Sequence, residues 1–135
     1  MNECCEKLKP YASLFLRIGL GVIFIYHGFG KVFGAGTSLG TAWNPSLPTV
    51  IQTLVAWGEF VGGLAILLGF LTRKAAVGII IIMLGAIFTV HGKNGFSLMN
   101  HGFEYNFALI MMCLALIAGG TGPLSISCPC SKGKE

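Results

Sequence analysis

Long apolar segments, separated by short polar connections, constrain the fold of this chain more than any other feature. A helix of about 20 residues spans the roughly 30 Å hydrocarbon core of a bilayer. The first two apolar segments reach that length alone, and the other two reach it with flanking residues. Backbone groups in lipid must be satisfied within the segment, and these runs are too long for barrel strands, so helices are expected. The predicted helices cover residues 12–30, 49–70, 74–91 and 105–120.

The composition agrees with a membrane protein. The 135 residues are 54% hydrophobic and 10% charged, whereas soluble proteins are about 25% charged. Short connections place successive helices antiparallel. The sequence therefore predicts an all-α membrane protein, an antiparallel four-helix transmembrane bundle forming one domain, with cysteine-bearing tails at 1–11 and 121–135. The net charge of +4 is scattered, which indicates the lipid bilayer and not a nucleic acid as partner.

The basic residues predict the orientation of the bundle. The side that holds both termini carries Lys7, Lys9, Arg73, Lys74, Lys132 and Lys134. The opposite side carries Lys31 and Lys93. By the positive-inside rule, both termini are expected in the cytoplasm. The Gly58-x-x-x-Gly62 pattern favours close helix packing, either within the bundle or between copies in a homo-oligomer.

Ionisable residues inside predicted helices are the first functional candidates, because such residues are rare in membrane spans and usually face the interior. Glu59 is expected roughly 16 Å from the cytoplasmic end of its helix. A carboxyl group there must be protonated or paired, and a protonated glutamate that joins helices is one alternative. Arg17 lies near the start of the first helix. The alternative to a functional role is that its guanidinium group extends to the cytoplasmic interface.

Side-chain direction predicts a polar pocket around Glu59. Helical side chains lean toward their N-terminus, so His27 on the antiparallel neighbour is the expected partner of Glu59. The predicted catalytic residues are Glu59, His27 and Arg17. The predicted ligand-binding residues are His91, Lys31, Glu104 and Tyr105, with Lys31 at the rim. Histidine with a buried glutamate suits proton exchange with a redox-active molecule such as a quinone. A transition metal at these residues is a weaker alternative, because they lack ligand spacing.

The remaining chemistry-bearing residues are cysteines near the two termini. Cys4 and Cys5 precede the first helix, and Cys128 and Cys130 follow the last, so the predicted topology places all four on one side. In reducing cytosol these thiols favour a metal site or a redox-active pair over a structural disulfide. Free thiols and lipid attachment stay open as alternatives. Cys113, in the middle of a helix, is expected in the core.

Several short motifs resemble those of the DoxX-like family of small four-helix membrane proteins, over about residues 16–127. The motifs are RIG at 17–19, HGFGK at 27–31, GEFVGG at 58–63, LGFLTR at 68–73, GFEY at 102–105 and GGTGPLS at 119–125. The cysteine-bearing tails depart from the family pattern. The resemblance implies a protein of the prokaryotic cytoplasmic (inner) membrane that takes part in respiratory or sulfur redox chemistry. Relatives in this family are named as subunits of quinone-linked oxidoreductases.

Three functional hypotheses follow from these residues. The leading hypothesis is a redox-associated membrane protein, with or without catalytic activity of its own, that binds a quinone-like or other small molecule in an outward-opening pocket. The second is a non-catalytic subunit for assembly or transport that recruits a partner oxidoreductase. The third is thiol or metal handling through the cysteine tails.

Overall fold

The structure, a computed structural model, describes residues 7–126. These residues form an all-α, antiparallel bundle of four long helices. The helices are α1 (Ala12–Phe33), α2 (Thr49–Leu68), α3 (Thr72–Ala86) and α4 (Glu104–Gly119). The fold class expected from the apolar segments is therefore confirmed, although several helix ends differ from the predicted ones.

The second helix ends earlier than predicted because of the backbone at Gly69. Gly69 has a φ of 71°, and its amide donates to the carbonyl of Ile66, while the Phe70 amide donates to that of Ala65. This left-handed cap stops α2 at Leu68. Leu71 is also left-handed, with a φ of 47°, and α3 begins directly after it. The turn thus reverses the chain within three residues.

The third helix loses its regular α-helical form before the predicted end. Ile87–His91 is π-helical and is followed by two 3-10 turns, Gly92–Asn94 and Leu98–Asn100. One π-turn shifts the side chains beyond it around the helix axis, and such turns are frequent at functional sites. The distortion therefore decides where His91 points.

Glycine allows α1 and α2 to pack more extensively than any other pair of helices. A Cβ atom on Gly63 would lie 2.7 Å from the Ile25 amide nitrogen, and one on Gly28 would collide with the Phe60 backbone. Close backbone approach at small residues is typical of membrane helices. The predicted pair Gly58 and Gly62 instead faces isoleucine side chains of α3.

The interior of the bundle is apolar, and so is much of its exterior. The core residues are Leu20, Phe24, Ile66, Ala76, Ile79, Met83, Leu109, Cys113 and Leu116, which confirms the expected position of Cys113. Many large apolar side chains face outward, as expected for a surface solvated by lipid. Within the described chain, Lys9–Phe33, Thr49–Leu68 and Thr72–Asn94 are long and apolar enough to cross a membrane, and α4 is apolar but shorter.

Candidate functional site

An ion pair joins Lys31, near the end of α1, to Glu59, halfway along α2. Nζ of Lys31 is 2.6 Å from Oε2 of Glu59, and the Glu59 side chain is only 4% exposed. The predicted pairing of Glu59 with His27 is therefore wrong. Lys31 lies one helical turn beyond His27, and its long stem leans back toward the N-terminus of α1, so that the ammonium group reaches the depth of Glu59.

The loop between α1 and α2 covers this ion pair. Nζ of Lys31 lies 4.7 Å from the centre of the Trp43 ring, a cation–π contact. The Trp43 indole N–H donates to the carbonyls of Gly40 and Gln52. The buried Gln52 side chain in turn accepts from the Asn44 amide and donates to a carbonyl of the loop. Trp43 is therefore held in place against Lys31.

A cavity of about 270 Å³ lies beside the ion pair, with a polar side and an apolar side. Its polar lining residues are His27, Lys31, Glu59, His91, His101, Tyr105 and Asn106. Its apolar lining residues are Phe24, Met83, Ala86, Leu98, Leu109 and the glycine at 102. We call this space the histidine cavity. Its volume and mixed lining suit a small ring-shaped molecule with polar substituents.

His91 has a fixed orientation in the histidine cavity. Its Nδ1 lies 2.8 Å from the backbone oxygen of His101. Because a carbonyl oxygen can only accept, Nδ1 carries the hydrogen, and in the neutral ring Nε2 is left as an acceptor. His91 can therefore take up a proton at Nε2 without losing its contact to the loop.

The structure places five of the predicted site residues around this cavity, namely His27, Lys31, Glu59, His91 and Tyr105. Their functional roles stay predictions. Sequence reasoning missed His101 and Asn106, which also line the cavity. Asn106 is 5% exposed, and its amide donates to the Met83 sulfur at 3.4 Å. A polar side chain two residues into an apolar helix was the available signal for Asn106.

Glu104 does not line the histidine cavity, contrary to the prediction. Its Oε2 accepts from the Leu98 amide at 2.9 Å, so the carboxylate holds the preceding 3-10 turn against the start of α4. An acidic side chain in the first turn also interacts favourably with the helix dipole. Glu104 thus shapes the loop that carries His101 instead of facing a ligand.

Arg17 lies outside the cavity, so its position does not support the predicted catalytic role. It is only 1% exposed, so its guanidinium group is enclosed by the protein. Its guanidinium donates, at distances between 2.8 and 3.1 Å, to the backbone carbonyls of Ile66, Leu67, Thr121, Pro123 and Leu124. The first two carbonyls belong to the last turn of α2, where a cation is favoured. Arg17 therefore joins α1, the end of α2 and the segment after α4.

A second cavity, of about 240 Å³, lies between α2, α3 and the Trp43 loop. It shares Lys31, Glu59, Ala86 and His91 with the histidine cavity. Its other lining residues are mostly apolar: Trp43, Asn44, Leu47, Ile51, Val55, Ile82, Gly85, Thr89 and Val90. We call this space the loop cavity. The Lys31–Glu59 pair lies on the boundary between the two cavities.

No group of three or more metal-ligating side chains occurs within residues 7–126. The predicted metal ligands Cys4, Cys5, Cys128 and Cys130 lie outside the described residues. The structure therefore does not test the metal hypothesis for the tails.

Comparison with known proteins agrees with this membrane bundle. The chain is 32% identical to CatD of Bacillus subtilis, provisionally named an oxidoreductase, over 96% of this chain and 95% of that protein. It is 32% identical to the inner membrane protein YqjF of Escherichia coli, over 90% of this chain and 93% of that protein. A Haemophilus influenzae protein without assigned function is 31% identical over 90% of this chain and 92% of its own length. No solved structure gives a significant match. The DoxX family model matches residues 12–92, and the chain therefore belongs to the DoxX family.

Proposed function

We propose that this protein binds a quinone-like molecule in the histidine cavity and exchanges protons with it. The observation that carries the proposal is the Lys31–Glu59 ion pair, with its buried carboxylate, at the wall of a cavity that is otherwise lined by histidines, Tyr105, Asn106 and apolar side chains. A charged pair is rare at such depth in a membrane protein and usually marks a functional site.

The lining residues suit both the oxygen atoms and the apolar ring of a quinone. The ammonium of Lys31 and the hydroxyl of Tyr105 can donate hydrogen bonds to ring oxygens, while Phe24 and Leu109 contact the apolar face. Reduction of one quinone to the quinol takes up two electrons and two protons. In this proposal a partner oxidoreductase supplies the electrons, and the protons pass through His91 and Glu59.

The names of two relatives support this proposal to different degrees. CatD carries a provisional oxidoreductase name, and YqjF is named an inner membrane protein. By extension we place this chain in the cytoplasmic membrane, with four passes and both termini in the cytoplasm. In a span of 16 residues α4 rises about 24 Å, so its flanking residues complete the fourth pass.

The test is native mass spectrometry of the detergent-purified protein, followed by solvent extraction of any bound molecule. Wild type is compared with Glu59→Gln and with Lys93→Gln, a control whose exposed charge lies at the same end of the bundle but lines neither cavity. We expect quinone on wild type and on the control, and its loss from Glu59→Gln. If wild type holds only phospholipid after quinone is added, and retains a soluble oxidoreductase instead, the pocket hypothesis fails and the chain is an assembly subunit.

A further inference from the structure

The two cavities meet at the Lys31–Glu59 ion pair, and the chemistry of their lining residues differs. The histidine cavity holds the titratable side chains, whereas the residues that line only the loop cavity are mainly aliphatic or aromatic. Both cavities border the same Lys31, Glu59, Ala86 and His91. A polar compartment thus adjoins an apolar one across a boundary of four residues.

We infer that the two cavities form one bipartite site for an amphipathic molecule, with its polar ring in the histidine cavity and an apolar chain in the loop cavity. This inference rests on the proposed function and extends it by naming the class of ligand, a ring that carries a long hydrocarbon chain. The boundary includes Ala86, whose short side chain lines both cavities beside Lys31 and Glu59.

The loop cavity is suited to hydrocarbon by its walls. Its walls include Ile51 and Val55 on α2, Ile82 on α3, and Trp43 and Leu47 of the loop. Burial of each methylene group of a chain in such surroundings contributes about 0.8 kcal/mol when the chain comes from water. From lipid the gain is smaller, so the cavity contributes selectivity by shape more than affinity.

Gly85 offers a substitution that adds a side chain at the wall of the loop cavity without a steric clash. Gly85 lines this cavity, and a Cβ atom built on it meets no atom within 4 Å. Gly78 lies on the same helix, has equally open space around a Cβ atom and lines neither cavity. Gly85→Leu and Gly78→Leu are therefore matched variants, and both raise the helix propensity of α3.

The experiment compares a benzoquinone that carries a decyl chain with the same ring that carries a methyl group. Binding to purified wild type, Gly85→Leu, Gly78→Leu and Glu59→Gln is measured by titration in detergent. We expect Gly85→Leu to weaken the decyl compound about tenfold, as for the loss of roughly 1.4 kcal/mol, and to leave the methyl compound unchanged. Gly78→Leu is expected to bind both as wild type does, and Glu59→Gln to weaken both.

The outcomes separate this inference from the proposed function. If both compounds bind in a Glu59-dependent way but Gly85→Leu weakens both equally or neither, the bipartite site is wrong and the histidine cavity stands. If neither compound binds wild type, both proposals fail. A second measurement needs no substitution: a photoreactive group at the chain end should label residues 47–55 or 82–90 in wild type. Labelling confined to residues 101–109 would overturn the bipartite site.

Discussion

Nζ of Lys31 and Oε2 of Glu59 lie 2.6 Å apart, although the two residues are 28 positions apart and belong to different helices. The Lys31 side chain is 24% exposed and that of Glu59 is 4% exposed. The lysine therefore retains an alternative contact with solvent or headgroups, and the carboxylate does not. This asymmetry predicts unequal effects of removing either partner.

We expect Lys31→Met to destabilise the fold more than Glu59→Gln does. Lys31→Met leaves a buried carboxylate without its cation, which lowers the free energy of unfolding by about 3 kcal/mol. Glu59→Gln leaves a lysine that can turn outward. The double variant should be more stable than the sum of the single effects predicts. The free energy of unfolding in detergent is measured for wild type, the two single variants and the double variant. Lys93→Met, at an exposed lysine, serves as control. Strictly additive effects would contradict an energetic coupling between the two groups.

Arg17 is expected to stabilise the bundle and not to bind the ligand. Arg17→Lys keeps the charge but loses the planar set of five donors, so several backbone carbonyls lose their partner. Each lost charged hydrogen bond is worth about 1.5 kcal/mol or more, so the melting temperature should fall strongly. The exposed Arg73→Lys, at the same end of the bundle, serves as control. An unchanged melting temperature together with lost quinone binding would restore the predicted catalytic role of Arg17.

Alanine substitution at two glycines of α1 should have different effects on the free energy of unfolding. Gly28→Ala places a methyl group against the Phe60 backbone and should lower the free energy of unfolding by about 1–3 kcal/mol. At Gly30 a Cβ atom meets nothing within 4 Å, so Gly30→Ala should be neutral or stabilising by up to about 1 kcal/mol. Thermal unfolding of the two variants checks this difference. Equal effects would mean that α1 and α2 do not approach as closely as described.

The neutral His91 ring should carry its hydrogen on Nδ1, because that atom donates to the His101 carbonyl. Nitrogen NMR of histidine-labelled protein distinguishes the two tautomers directly. His91→Asn keeps a donor near the position of Nδ1 and removes Nε2. Its stability should therefore match wild type, while affinity for the quinol, whose hydroxyl can donate to Nε2, falls about fivefold, as for the loss of one hydrogen bond of roughly 1 kcal/mol. Observation of the Nε2–H tautomer would contradict the assigned role.

The proposed topology predicts which positions a membrane-impermeant maleimide can reach in intact cells. In a background with the native cysteines replaced by serine, Ser46→Cys should be labelled from outside. Arg73→Cys and Ile126→Cys should be labelled only after the membrane is permeabilised. Labelling of Ile126→Cys from outside, with Arg73→Cys protected, would show that α4 does not cross the bilayer.

The sequence by itself determined the helical class and the approximate position of each helix, because the length of an apolar run and the need to satisfy backbone groups in lipid are local properties. It also marked Glu59 as exceptional, since a carboxyl group within an apolar span requires a partner wherever the helix packs. The small residues also indicated close helix packing. Gly28 and Gly63 provide it between α1 and α2, whereas Gly58 and Gly62 lie against isoleucine side chains of α3.

Only the tertiary structure decided which groups meet. Lys31 replaced His27 as the partner of Glu59 because a flexible stem moves its charge by a full helical turn, a reach that sequence position does not reveal. The five carbonyl acceptors of Arg17 come from two segments far along the chain, and helix caps and loop ends define their positions. The π-turn before His91 and the folded Trp43 loop likewise depend on packing between helices. Long-range contacts of this kind arise from the bundle as a whole, which is why the boundary between the two cavities could not be predicted from the apolar pattern.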